Sequence, residues 1–133
     1  TVPYGNQYEL PKELKDSVSL FRCGKNRFIL NCLSPVITRE NESTTKIVTV
    51  GADTIYGKDF IETLLEESEK NPDAIIYTKD SINLANGAVF CTKFFKEDFL
   101  NEPQSVDANT WVVKYFKDFP KKSVEYSENY KCL

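Results

Sequence analysis

The sequence predicts an α+β domain, with one main helix at about residues 58–70 packed on a mostly antiparallel sheet and two disulfides. Three observations carry this reading. A single stretch shows a strong helical period, and the strand-like segments are short and bounded by Asn, Gly and Pro. Helix and strand signals also fail to alternate, which argues against a doubly wound parallel sheet. The 133 residues make one domain, long enough to bury a core, with residues 1–17 expected as an extended lead-in.

The lead-in is polar and carries Pro3 and Pro11, with one short helical turn expected after Pro11. Val18–Leu33 reads as a hairpin turning at Lys25-Asn26, which sets Phe21, Cys23, Phe28, Leu30 and Cys32 on one face. The polar stretch Thr38–Thr45 reads as an exposed loop and holds the single N-glycosylation sequon, Asn41-Glu42-Ser43. Lys46–Val50 is β-branched and short, hence a strand, ended by Gly51-Ala52-Asp53. In the segment Lys58–Lys70, Phe60, Ile61, Leu64 and Leu65 recur with helical spacing. Acids in its first turn and Lys70 in its last suit the helix dipole, and Asn71-Pro72 stops it.

Strands follow at Asp73–Thr78, Ile82–Ala85 and Ala88–Phe95, the last two joined by the hairpin dipeptide Asn86-Gly87. Residues 96–109 form a polar loop around Pro103. The run Thr110–Phe116 is rich in β-branched and aromatic residues and reads as a strand. A turn over Lys117–Lys121 then leads to a final strand at Lys122–Tyr126.

Composition narrows function. Seventeen basic and 20 acidic residues give a net charge of −3, so a general phosphate-backbone binder is not favoured, although single-stranded RNA is kept as an option. No apolar run approaches the roughly 20 residues of a membrane span. The chain has no histidine, which excludes His-based triads, His general bases and His-ligated metals. No D-x-D-x-D loop offers a calcium site, no cysteines stand as C-x-x-C, and no cofactor is implied. Acidic residues are plentiful, but no spacing among them selects a catalytic pair.

The lack of methionine and the start at Thr1-Val2-Pro3 are read as a processed N-terminus. With four cysteines in a short chain they point to export. Four cysteines allow three pairings. The hairpin register sets Cys32 opposite Ser19 rather than Cys23, which favours long-range bridges over a local one; of these, Cys23–Cys132 with Cys32–Cys91 is the preferred pairing. The first would close a long loop, contributing about 4–5 kcal/mol at most, and would order the tail Asn129–Leu133.

Aromatic residues make up 13% of the chain, with one tryptophan. On the 110–116 strand, Trp111 and Tyr115 beside Lys114 form the candidate binding set, because rings with adjacent charge anchor contacts. From 110 onward five lysines face three acids, a local net of +2.

Phe21-Arg22-Cys23 near the start, the helix of 58–70 ahead of antiparallel strands, and Tyr130-Lys131-Cys132 at the end carry a resemblance. In this order of elements, over residues 19–133, the chain resembles the secreted ribonuclease-like effectors of plant-pathogenic fungi. That family is built on the fold of small guanyl-specific ribonucleases, with its early and terminal cysteines bridged. This chain is longer, has two extra cysteines, and offers no counterpart to the catalytic His and Glu of the active enzymes. The resemblance therefore implies a catalytically inactive scaffold used for binding in or around a host, and transfers no site residue.

The expectation is a secreted, monomeric, non-enzymatic interaction protein binding a host protein or other macromolecule, in the manner of a virulence effector. The alternatives are a carboxylate-dependent hydrolase acting on RNA or glycan, and a small-ligand carrier.

Overall fold

The computed structural model describes residues 11–19, 32–101 and 107–131. Pro11 opens a 3₁₀ turn at Lys12–Leu14, as expected of the lead-in. The expected hairpin lies outside the described residues over 20–31. At its far end Leu33 belongs to no strand but leads into helix α1, Ser34–Arg39, with Pro35 in its first turn. The expected loop at 38–45 therefore begins only after Arg39.

Strand β1, Lys46–Thr49, follows, then the short β2, Thr54–Ile55, and helix α2, Phe60–Lys70. The main helix thus forms where its period put it. Phe60, Leu64 and also Ser68 are its buried residues, whereas Ile61, expected on the apolar face, is 48% exposed. The offset of one residue turns Ile61 outward and brings Ser68 in. Strands β3, Ile75–Thr78, and β4, Ala88–Cys91, come next.

Three strand expectations are corrected here. Ile82–Ala85 is irregular, part of a connection from β3 to β4 across residues 79–87, because the pairing partner of β4 is β3 itself. The strand expected to run to Phe95 ends at Cys91 and turns into a 3₁₀ turn, Thr92–Phe94. The run Thr110–Phe116 is not a strand but most of helix α3, Ala108–Tyr115. Asp107 caps it, its carboxylate accepting from the Thr110 N–H at 3.0 Å and the Thr110 hydroxyl at 2.6 Å. Helical periodicity of burial, not β-propensity, decides the outcome.

Strand β5, Lys121–Val124, and β6, Tyr130–Lys131, complete the chain. The main sheet has the order β1-β4-β3-β5, antiparallel except for the parallel pair β3–β5. The final strand therefore pairs with β3 rather than folding back on 110–116. A second, two-stranded ribbon joins β2 and β6.

The register explains the layering. Val48, Val89 and Ile76 sit opposite one another on one face, while Ile47 faces Phe90 and Tyr77 faces Ala88 on the other. On the first face Phe60 and Leu64 of α2 pack against Ile76 and Val89, with Val48 and Val124 at the margin. On the second, Ile47, Ile75, Ala88 and Phe90 meet Val112 and Phe116 of α3, with Leu33, Phe94 and Phe99. All of β4 is buried, so the sheet is the middle of three layers. Each fully buried apolar side chain contributes about 1.5–3 kcal/mol.

No disulfide is seen among the described residues, so the two-bridge expectation is unsupported. Cys91 is a buried free thiol whose Sγ–H donates to the Ser43 carbonyl at 3.1 Å, and the expected Cys32–Cys91 bridge is not made. Cys23 and Cys132 lie outside the described residues. Among the described residues the tail as far as Lys131 pairs with β2, Asn129 accepts from the Gly57 N–H at 2.9 Å, and Lys131 meets Asp53 at 3.0 Å.

Gly87 begins the entry to β4 with φ +102, and a Cβ there would collide with the Phe60 ring. Gly87→Ala is expected to cost more than about 1 kcal/mol, read as a lower urea midpoint at unchanged m-value. The Cys91 thiol is expected to resist maleimide in the folded chain and to react after denaturation.

Candidate functional site

Helix α3 is amphipathic in a way that separates structure from contact. Val112 is buried, Trp111 and Tyr115 are half-buried one turn apart, and Thr110, Val113 and Lys114 face solvent, with Lys117 just beyond the helix. The sequence brought Trp111, Lys114 and Tyr115 together. The fold keeps the two rings together, 5.7 Å between centroids, but turns Lys114 onto the outer stripe.

Both rings are tied to a 3₁₀ turn, Glu97–Leu100, which lies in the expected polar loop. Phe99 from that turn is fully buried between them, 5.0 Å from Tyr115 and 6.3 Å from Trp111. The indole N–H donates to the Phe99 carbonyl at 2.9 Å, and the Tyr115 hydroxyl donates to Asp98 at 2.6 Å. Burial, reinforced by the Asp98 hydrogen bond, pushes the Tyr115 phenol up to about 12. The polar ends of the two rings are thus spent on hydrogen bonds within the protein that tie α3 to the Glu97–Leu100 turn.

On the other side of α3, a shallow depression of about 410 Å³ is lined by Thr110, Val113, Lys114 and Asn109 and by Ser81, Ile82 and Asn83 of the 79–87 connection. Asn109 accepts from the Leu84 N–H at 2.9 Å, and Asn83 accepts from the Ala85 N–H at 2.9 Å, so both walls are fixed. Val113 is 42% exposed between hydrogen-bonding neighbours. Sequence reading missed Val113, Asn83 and Asn109 because it took α3 for a strand. The signal available was Asp107 three residues ahead of Thr110, followed by the i, i+4 pairs Trp111/Tyr115 and Val112/Phe116.

Asn41 is exposed in the turn between α1 and β1, where a glycan has room. Among the described residues no group of three or more His, Cys, Asp or Glu is placed to hold a metal ion. No described helix is long and apolar enough to cross a membrane. No protein-family model, curated protein or solved structure matches the chain.

A second tyrosine behaves like the first. Tyr126 packs edge-on against Phe60, and its hydroxyl donates to Asp59, which pushes its phenol up to about 12. Unfolded tyrosine titrates near about 10. The folded chain retains these protons longer, so the stabilisation is complete below about pH 10 and is lost as the pH rises toward about 12. The urea midpoint is expected to fall across that window, and a Tyr115→Phe/Tyr126→Phe double variant to fall less steeply.

Proposed function

We propose that this chain is a secreted, non-enzymatic interaction protein that binds a host macromolecule through the outer stripe of α3. The observation that carries this is the division of labour on that helix. Trp111 and Tyr115 anchor it from within. Thr110, Val113 and Lys114 stand outward beside Asn83 and Ser81.

An exposed valine flanked by an ammonium and neutral hydrogen-bonding groups suits a protein surface that pairs an apolar spot with acidic residues. The helix enters the complex already rigid, so little ordering entropy opposes binding. A nucleic acid is the weaker partner, because the chain is net negative and the depression offers one lysine. Export is supported by the exposed sequon at Asn41. The reading of an inactive effector scaffold is compatible with this contact surface, but the proposal rests on the surface and does not need the ribonuclease-like order of elements.

The test is capture of partners from host extracellular fluid by the wild-type chain, with Val113→Asp and Lys114→Glu as contact variants and Lys12→Glu as a remote control. Partners retained by wild type and control are expected to bind roughly tenfold or more weakly to both contact variants. Equal capture by all four chains would refute the assignment. Turnover of RNA or oligosaccharide that disappears on changing one carboxylate to its amide would favour the hydrolase instead.

A further inference from the structure

A second cleft lies at the carboxyl ends of the parallel strands β3 and β5, where the 79–87 connection meets the β2–β6 ribbon. Its walls include Thr54, Lys79, Asn86, Tyr126, Asn129 and Tyr130, none of which lines the α3 depression. Crevices outside the carboxyl ends of parallel strands are common ligand sites, because the connections diverge there. The volume is about 70 Å³. That is room for about five water-sized groups, a few hydroxyls rather than a peptide side of any length.

The chemistry of the lining selects the ligand. Lys131 is spent on Asp53 at 3.0 Å, and the Tyr126 hydroxyl is spent on Asp59. Lys79 is the one lining ammonium without an ion pair among the described residues, and Asp80 follows it directly. Asp53 neutralises Lys131, which leaves Lys79 as the cleft's single ammonium unpaired among the described residues, a weak field for an anion. What remains is a mixed set of donors and acceptors. Asn129 uses its carbonyl oxygen on the Gly57 N–H and keeps its NH₂ group, while the Asn86 side chain makes no hydrogen bond to another described residue. Hydroxyl groups, which both donate and accept, complement such a set. At the rim stands Tyr130, 61% exposed, the most exposed of the large apolar side chains among the described residues. An aromatic face beside hydroxyl-binding groups matches the two sides of a sugar ring, its C–H face and its hydroxyls.

We infer that this cleft binds a neutral sugar residue, with Asn86, Asn129 and Lys79 on the hydroxyls and the Tyr130 ring against the C–H face. This goes beyond the α3 contact and does not depend on it. The two walls of the cleft are held independently. Thr78 donates to the Asn86 carbonyl at 2.9 Å, and Ser123 donates to the Lys79 carbonyl at 3.0 Å.

The test is a titration of the isotope-labelled full chain, followed by amide chemical shifts, with glucose, galactose, mannose and N-acetylglucosamine, their β-linked disaccharides, and inorganic phosphate. At least one sugar is expected to give saturable shifts at the side-chain amides of Asn86 and Asn129, with a dissociation constant on the order of 1 mM. Tyr130→Ala and, separately, Asn86→Ala are expected to weaken it roughly tenfold while the remaining spectrum is unchanged. Because Tyr130 also belongs to β6, the Asn86 variant guards against a loss caused by the ribbon coming apart. No saturable shift with any sugar, shifts at these amides with phosphate alone, or wild-type affinity in both variants would overturn the inference. None of these outcomes bears on partner capture by α3.

Discussion

A strand that is buried on both faces cannot exist without two covers, and β4 is such a strand. Ala88 and Phe90 point one way and Val89 the other, and all are shielded from water. The rest of the architecture answers that constraint. Phe60 and Leu64 close one side, and the aromatic layer of Phe94, Phe99 and Phe116 closes the other. Leaving either face wet would expose several large apolar side chains at about 25 cal/mol per Å², a large share of a small domain's stability. This is why the region after β4, although polar in composition, folds into short turns that bring Phe94 and Phe99 inward.

The legible parts of the sequence were those where local pattern and burial agree. The period of Phe60, Leu64 and Leu65 identified α2, and the β-branched run 46–50 identified β1. The mixed α+β class and the mostly antiparallel sheet follow from the same signals. The illegible parts were those where a neighbour overrides propensity. Thr110-Trp-Val-Val favours a strand by residue type, yet Asp107 caps a helix there and the rings find Phe99 below them. Phe99 itself sits in a segment too polar to signal a core residue. The parallel pairing of β5 with β3 depends on a crossover between distant segments that no local pattern encodes.

The candidate contact residues changed meaning for the same reason. Rings at i and i+4 share a face on a strand and on a helix alike, and on α3 that face packs against Phe99, whereas Lys114 falls on the other side. Their hydroxyl and indole groups then act as fasteners, and the residues between them, Val113 and Lys114, become the outward surface. The tail is another place where contacts between distant segments matter. Its order as far as Lys131 comes from strand pairing, the Asn129 hydrogen bond and the Lys131–Asp53 pair, contacts that a count of cysteines does not reveal.

The account depends on α3 being as firmly seated as the sheet it covers, since a loose helix would neither complete the core nor present a rigid contact face. Residue-resolved native-state hydrogen exchange measures this directly. The amide of Phe116, bonded to the Val112 carbonyl at 3.0 Å, is expected to exchange only through global unfolding, at the same free energy as the amides of β4. Rapid exchange throughout α3 while β4 stays protected would contradict the account.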